Sequence, residues 1–194
     1  MRVLLVSEGA GELGGALETL IRRLLPDVEL EVETDRVASR QVRIHMTGRG
    51  YLSRARAWLR NAEIRGFDAL ILVIDRDEDS SRVKQINEAQ DDAKLTQLSR
   101  ALGVAIEKFD AWMLADEGAL TTVLGYSVTC QPDPESTRDP KQTVYELRSQ
   151  TSVDLSLPEL YAGVADEINL DLLEKRCRRG FGPFAERVWA LRAG

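Results

Sequence analysis

Residues 70–79 have the sequence Leu70-Ile71-Leu72-Val73-Ile74-Asp75-Arg76-Asp77-Glu78-Asp79. Five consecutive apolar residues ending in acids are typical of a buried parallel strand that carries carboxylates at its C-terminal end. In open α/β sheets ligands bind at that end of the strands. Two carboxylates about 4 Å apart repel by about 4 kcal/mol at an effective dielectric constant of about 20, and a divalent cation reverses that sign. The stretch therefore predicts a site for Mg²⁺ or Mn²⁺.

The composition indicates a folded globular protein. The chain has 194 residues, 43% of them hydrophobic, which suits one domain or one domain with an extension. No apolar run approaches the roughly 20 residues that a membrane span needs, and the apolar start, Met1 to Val6, is too short for a signal peptide. Two distant cysteines and a single histidine, His45, argue against a zinc site and a Ser-His-Asp triad. We expect a cytoplasmic protein with no membrane partner.

Charge is distributed unevenly along the chain. The net charge is −6, which alone argues against binding to nucleic acid. Between residues 36 and 65, however, there are eight arginines and one acid. A basic segment beside an acidic cluster is what an enzyme acting on phosphodiesters requires, whereas a solvated helix face is the alternative explanation for any single arginine. The candidate contacts to nucleic acid are Arg36, Arg40, Arg43 and Arg49, with Lys141 as a weaker candidate.

Alternating strand and helix patterns predict an α/β domain with a mostly parallel sheet flanked by helices. The predicted strands cover residues 2–7, 28–34, 69–74 and 104–107, and a further short strand around Val42 to Met46 is considered. The predicted helices cover residues 11–25, 50–65, 80–102, 111–124, 141–149, 157–165, 170–176 and 184–191, with Gly103 ending the third. We predict a core at residues 1–125 and a helical extension packed on it at residues 126–194.

Acids follow three of the predicted strands. Because parallel strands end at the same edge of a sheet, these acids are expected to form a carboxylate cage there. The alternative for several of them is a helix cap, before the helix that begins near Ser80 and before the helix that begins at Ala111. The candidate metal ligands are Glu8, Glu12, Asp75, Asp77, Asp79 and Asp110.

Several short motifs occur in order along the chain. They are Glu8-Gly9-Ala10-Gly11-Glu12, Asp75-Arg76-Asp77, Asp110-Ala111-Trp112-Met113-Leu114-Ala115-Asp116, Pro140-Lys141 and a helical tail around residues 168–184. The first two resemble the Toprim domain, which topoisomerases, primases and the nucleases of the OLD family share. The full set is similar to a Toprim-like bacterial family that is often encoded beside AAA-type ATPases. The resemblance covers most of the chain.

The resemblance implies a metal-dependent phosphodiester site. It assigns Glu8 as the acid/base or a ligand and Asp75 and Asp77 as metal ligands, so the candidate catalytic residues are Glu8, Asp75 and Asp77. The family has Glu where this chain has Asp110, so the shorter side chain needs a closer helix or a bridging water, and Glu107 is a possible substitute. We expect a nuclease that uses Mg²⁺ or Mn²⁺ to hydrolyse DNA or RNA, in defence against phage or plasmids.

Other functions are consistent with the same residues. The protein is alternatively a non-catalytic partner or regulatory subunit of an AAA-type ATPase, which the acidic net charge and Asp110 favour. Phosphoryl transfer of the haloacid-dehalogenase type ranks last, because its D-x-D motif normally follows the first strand. Assembly into a homo-oligomer is left open.

Overall fold

The apolar runs of the first 105 residues form one parallel sheet. A computed structural model describes residues 1–9, 11–43, 46–92 and 94–193, without the side chains of Gln41, Arg43 and Ala193. Within these residues the sheet has four strands in the order β2-β1-β3-β4, and every neighbouring pair is parallel. The predicted α/β class with a parallel sheet is confirmed. The strands are β1 (Arg2–Ser7), β2 (Glu31–Arg36), β3 (Ala69–Asp75) and β4 (Ser99–Ala105).

Helices connect the strands and make up most of the described chain after β4. A wide helical turn, Glu12–Ala16, leads into the first helix, and Gly15 within it has a φ of 116°, which favours glycine. Throughout the described ranges, no helix is long and apolar enough to cross a membrane. The helices are α1 (Leu17–Leu24), α2 (Arg40–Arg43), α3 (Gly50–Ile64), α4 (Ser81–Asp91), α5 (Asp110–Met113), α6 (Glu117–Leu124), α7 (Pro140–Gln150), α8 (Leu157–Glu167), α9 (Leu170–Arg176) and α10 (Phe181–Ala190), with 3₁₀ turns at Pro134–Ser136 and Leu191–Ala193.

Both faces of the central strands are buried. Leu4 and Leu70 lie in a cluster with Trp58 of α3 and Ile86 of α4. Their strand neighbours belong to a larger cluster on the opposite face, which α1, α8 and α10 cover. Since successive strand residues point to opposite faces, covering both explains why β1 and β3 are almost continuously apolar.

The C-terminal helices belong to the same hydrophobic core as the sheet. Tyr161 and Val164 of α8, and Phe184 of α10, lie in the larger cluster with Ile71 of β3. The contact of α10 with β4 is close at Gly103, where a Cβ atom would lie 2.7 Å from Cδ2 of Phe184. Residues 126–193 therefore help to cover one face of the sheet.

The stretch from residue 92 to residue 107 differs from the sequence prediction. Helix α4 ends at Asp91, and β4 begins at Ser99, so the prediction of a helix to Leu102 and a strand at 104–107 is wrong. Ala101 and Leu102 favour helices intrinsically, but pairing with β3 and burial outweigh that preference. Gly103 is required by the approach of Phe184 and does not end a helix.

Three smaller differences concern element boundaries. Strand β2 begins three residues later than predicted, although it is an edge strand as its charged sequence indicates. Residues 40–43 are helical, and Ile44 and His45 of the strand considered there lie outside the described residues. The single helix predicted for residues 111–124 is divided into α5 and α6.

Asp116 marks the break between α5 and α6. Its Oδ1 accepts hydrogen bonds from Gly118 N at 2.8 Å and Ala119 N at 3.2 Å, which caps α6. Its Oδ2 accepts a hydrogen bond from Asn169 N at 2.9 Å, just before α9. One buried carboxylate therefore starts one helix and attaches the tail to it.

Candidate functional site

The C-terminal edge of the sheet brings together the ends of all four strands. Ser7, the last residue of β1, pairs with Arg36 of β2 on one side and with Val73 of β3 on the other. Asp75, the last residue of β3, pairs with Ala105 of β4. The segments that follow these residues carry most of the acids that the sequence singled out.

Glu8 and Asp75 are in direct contact across this edge. Oε2 of Glu8 accepts a hydrogen bond from Asp75 N at 2.9 Å, and Oε1 accepts one from the Tyr51 hydroxyl at 2.6 Å. Oδ1 of Asp75 accepts a hydrogen bond from Phe109 N at 2.8 Å. The structure therefore brings together two acids that lie 67 positions apart.

Glu12 and Asp110 are buried near this pair. Each is 7% exposed. Glu12 accepts hydrogen bonds from the Ser7 hydroxyl and from Gly9 N, the latter at 3.2 Å. Asp110, the first residue of α5, accepts a hydrogen bond from the hydroxyl of Tyr161. Both acids are thus held by the protein's own donors.

The electrostatics show that these acids crowd one another. Burial, and then the charge of Asp75, raise the pKa of Glu12 to about 8, with Asp110 and Glu8 adding smaller effects. Burial, with repulsion from Glu8, Asp77 and Asp110, raises the pKa of Asp75 to about 7, against the hydrogen bond from Phe109 N. Burial and repulsion between like charges are the two effects expected where carboxylates lie close together in a partly buried site that contains too little positive charge.

Asp77 is in a different environment, between two cations. Its Oδ1 lies 2.7 Å from Nζ of Lys108, and its Oδ2 lies 3.0 Å from Nη1 of Arg82. Partial burial opposes its ionisation, but Lys108 and Arg82 together outweigh burial and keep the pKa of Asp77 below its usual value. The side chain of Asp77 is 38% exposed and lines a cavity of about 200 Å³ together with Lys108 and Arg138.

Backbone strain is concentrated in the loops after β3 and β4. Asp77, Glu78 and Glu107 have φ values of 47°, 60° and 56°, a region that residues with side chains rarely adopt. Glu107 holds both loops together, because it pairs with Arg76, accepts a hydrogen bond from Glu78 N and receives Asp77 N at its carbonyl oxygen. Its carboxylate is therefore engaged within the loops, and its substitution for Asp110 stays a prediction. Strain of this kind is often found at functional sites.

Asp79 is separate from the buried acids. Its carboxylate is exposed, accepts a hydrogen bond from Ser81 N at 3.0 Å and lies at the start of α4. For Asp79, the structure therefore agrees with the alternative explanation, in which an acid caps the helix that begins near Ser80. Asp110 also opens a helix, but the hydrogen bond to its carboxylate comes from Tyr161 of α8.

The acids do not form a closed metal site in this conformation. Among residues 1–9, 11–43, 46–92 and 94–193, no three His, Cys, Asp or Glu side chains are arranged to hold a metal ion. Protein donors occupy Glu8 and Asp75, and two cations hold Asp77. The donor chemistry still fits Mg²⁺ or Mn²⁺, because the available ligands are all carboxylate oxygens.

The candidate nucleic-acid contacts lie on the surface. Arg36, at the end of β2, is adjacent to the candidate site through its pairing with Ser7, and Arg49 immediately precedes α3. Arg36, Arg40, Arg49 and Lys141 are exposed, and within the described part of the chain they form no ion pairs. The side chain of Arg43 lies outside the described residues.

Three residues of the candidate site were not identified from the sequence. Tyr51 holds Glu8, Arg82 contacts Asp77, and Tyr161 holds Asp110. All three come from helices, and neither Tyr51 nor Tyr161 has a motif around it that indicates such a contact. Arg82 alone carried a signal, since a cation in the first turn after an acidic loop is well placed to neutralise it.

Comparisons with known protein families, with characterised proteins and with solved structures give no match. The similarity to Toprim proteins therefore rests on the order of the motifs and stays a prediction.

Proposed function

We propose that this protein is a nuclease that hydrolyses phosphodiester bonds with the help of Mg²⁺ or Mn²⁺. One observation carries the proposal: Glu8 and Asp75 meet at the C-terminal edge of a parallel sheet, where Asp110 is close enough to raise the pKa of both Asp75 and Glu12. A cation at this edge would relieve the repulsion among these acids. A role in defence against phage or plasmids is proposed from the resemblance alone.

Each acid has a distinct task in this proposal. The metal would be held by Asp75, Asp77 and Asp110, and Glu12 would lie next to these ligands. When bound, the metal would supply charge stabilisation for the scissile phosphate and activate water. Glu8 would accept the proton of the attacking water, because its carboxylate is only partly exposed and the Tyr51 hydroxyl fixes its orientation.

The exposed cations would bind the nucleic-acid backbone. Arg36 lies at the same edge as Glu8, so a strand bound there would pass beside the site. Arg40, Arg43, Arg49 and Lys141 would extend this contact. Since such contacts release counterions from the nucleic acid, binding should weaken steeply as salt is added.

The direct test compares cleavage of labelled DNA and RNA by the wild type, Glu8→Gln and Asp75→Asn, with Mg²⁺ or Mn²⁺. We expect both substitutions to lower the rate at least about 100-fold, because each removes a charge from the reacting centre. Asp92→Asn is the matched control: Asp92 is also partly buried, but it pairs with Arg56 at the other end of α4. Equal cleavage by all four proteins would indicate a contaminating nuclease and refute the proposal.

A second function is favoured by the cations at the site. Arg82 and Lys108 already neutralise Asp77, so the same scaffold could act without metal as a partner or regulatory subunit of an AAA-type ATPase. Calorimetric titration with Mn²⁺, together with pull-down of an ATPase encoded next to it, distinguishes the two. No Mn²⁺ binding at millimolar concentration, with capture of the ATPase, would favour the partner.

A further inference from the structure

Arg82 contacts several oxygen atoms of the candidate site. It is the second residue of α4, and its side chain is only 15% exposed. Its Nη1 donates hydrogen bonds to the carbonyl oxygen of Asp75 at 2.7 Å and to Oδ2 of Asp77 at 3.0 Å, and it lies 3.6 Å from Oε2 of Glu8. One nitrogen atom is therefore surrounded by oxygens from both strands that form the site.

The rest of the guanidinium is less firmly held. Its Nε has no hydrogen-bond partner within the described chain and lies 3.8 Å from Oδ2 of Asp79. The group also lies over the ring of Tyr51, with Cζ 4.4 Å from the ring centroid. A cation over an aromatic ring is stabilised without a directional hydrogen bond, so this contact can persist while the group changes its hydrogen-bond partners.

A divalent cation and Nη1 would compete for the same oxygens. Glu8 and Asp77 are both candidate residues of the metal site, and both face Nη1. A metal ion held by Asp77 beside Glu8 would repel the positively charged guanidinium and displace it. Lys108 contacts the other carboxylate oxygen of Asp77, Oδ1. Within the described structure it does not lie close enough to Glu8 to form an ion pair with it.

We propose that Arg82 occupies the cation position in the metal-free protein and moves, when metal binds, to bind a phosphate group of the substrate. This inference rests on the proposed metal-dependent function. The ring of Tyr51 would keep the displaced guanidinium beside the site. Its planar fork of donors matches two oxygens of a phosphodiester, which an ammonium group cannot do.

The first experiment measures Mn²⁺ binding by calorimetry, without substrate. We expect Arg82→Gln to bind Mn²⁺ at least about tenfold more tightly than the wild type, because a competing positive charge is removed. Arg176→Gln is the matched control: Arg176 is 17% exposed and, like Arg82, contacts both carboxylate and backbone carbonyl oxygens, here those of Glu117 and Ala115. Equal or weaker Mn²⁺ binding by Arg82→Gln, in a variant that unfolds at the same urea concentration as the control, would overturn the inference.

The second experiment measures binding of a phosphorothioate single strand in saturating Mn²⁺. We expect Arg82→Gln to bind it about tenfold more weakly and Arg82→Lys to recover only part of the affinity, since lysine lacks the planar fork. Unchanged affinity in both variants would overturn the substrate role. Tighter Mn²⁺ binding by Arg82→Gln together with weaker strand binding, in a protein that cleaves nothing, would support this inference and refute the nuclease.

Discussion

At the scale of single residues, the dominant feature is the cost of keeping Glu12 charged. Its carboxylate is buried, and its neighbours Asp75, Asp110 and Glu8 all oppose ionisation. The Ser7 hydroxyl and Gly9 N hold it in place. A group placed in this way makes the stability of the metal-free protein depend on pH.

The direction of that dependence follows from the pKa values. The pKa of Glu12 rises from 4.5 in a free side chain to about 8 in the fold, so the folded protein holds a proton that the unfolded chain has lost. The free energy of unfolding should therefore fall between pH 5 and pH 8, by up to about 4 kcal/mol from this residue. Urea unfolding in the presence of a chelator measures it.

The control for this prediction is an exposed glutamate on α7. Glu12→Gln should reduce the fall, leaving the part that Asp75 contributes in the same direction, whereas Glu146→Gln should leave it unchanged. If Glu12→Gln shows the same pH dependence as the wild type, Glu12 does not retain its proton in the folded protein as described.

The residues of the candidate site divide into those with a local sequence signal and those without one. Glu8 follows β1 directly, and Asp75 is the last residue of β3. The apolar pattern of these strands and their parallel arrangement therefore place both acids at one edge of the sheet. Tyr51, Arg82 and Tyr161 lie on amphipathic helices. Their positions in the helical sequence are as consistent with packing against the core as with a contact in the candidate site. Their contacts depend on how the helices are oriented, which no local pattern specifies.

At the scale of secondary-structure elements, α8 reaches the candidate site from the C-terminal part of the chain. Tyr161 is 3% exposed, its ring centroid lies 6.2 Å from that of Phe109, and its hydroxyl donates to Asp110. Burial and the neighbouring charge of Asp110 raise the pKa of Tyr161 far above its usual value, so it stays a donor. The helix thus fixes an acid that belongs to α5.

Tyr161→Phe should weaken the fold without changing its packing. The ring remains, but Asp110 loses a buried hydrogen-bond donor, which costs about 1–3 kcal/mol. Urea unfolding at pH 7 measures this, and Tyr145→Phe serves as the control because Tyr145 is 40% exposed. A loss no larger than in the control would mean that the hydroxyl of Tyr161 contributes nothing to holding Asp110.

Strands were predicted better where the sequence is strongly apolar. β1 and β3 match closely, because Val, Ile and Leu in an uninterrupted run favour a buried strand. The first five residues of β4 were missed because Ser99, Arg100 and Ala101 have no strand preference and are positioned by pairing with β3. Tertiary contacts, and not local propensity, determine that strand.

At the scale of the whole molecule, one face of the sheet depends on the tail for part of its cover. One face is closed by α3 and α4, which precede residue 92, and the other requires residues of α8 and α10. Leu160, Val164, Phe181 and Phe184 are all at most 1% exposed. The predicted boundary at residue 125 therefore separates two parts of one hydrophobic core.

A chain ending at residue 125 should not fold by itself. Removing the tail exposes the apolar face of β1, β3 and β4, which is a surface that promotes aggregation. Circular dichroism and urea unfolding of residues 1–125 should show no cooperative transition, whereas the full chain should show one. A cooperative transition in the shortened chain would mean that the sheet is stable with one face uncovered.

The double attachment of Asp116 has a consequence for surveys of genomes. The last aspartate of the segment from residue 110 to residue 116 joins two helices and has no place among the acids near Glu8. Homologues that keep this aspartate would share the architecture whether or not they retain chemistry. Active and inactive members should therefore be sorted by the positions equivalent to residues 8 and 75.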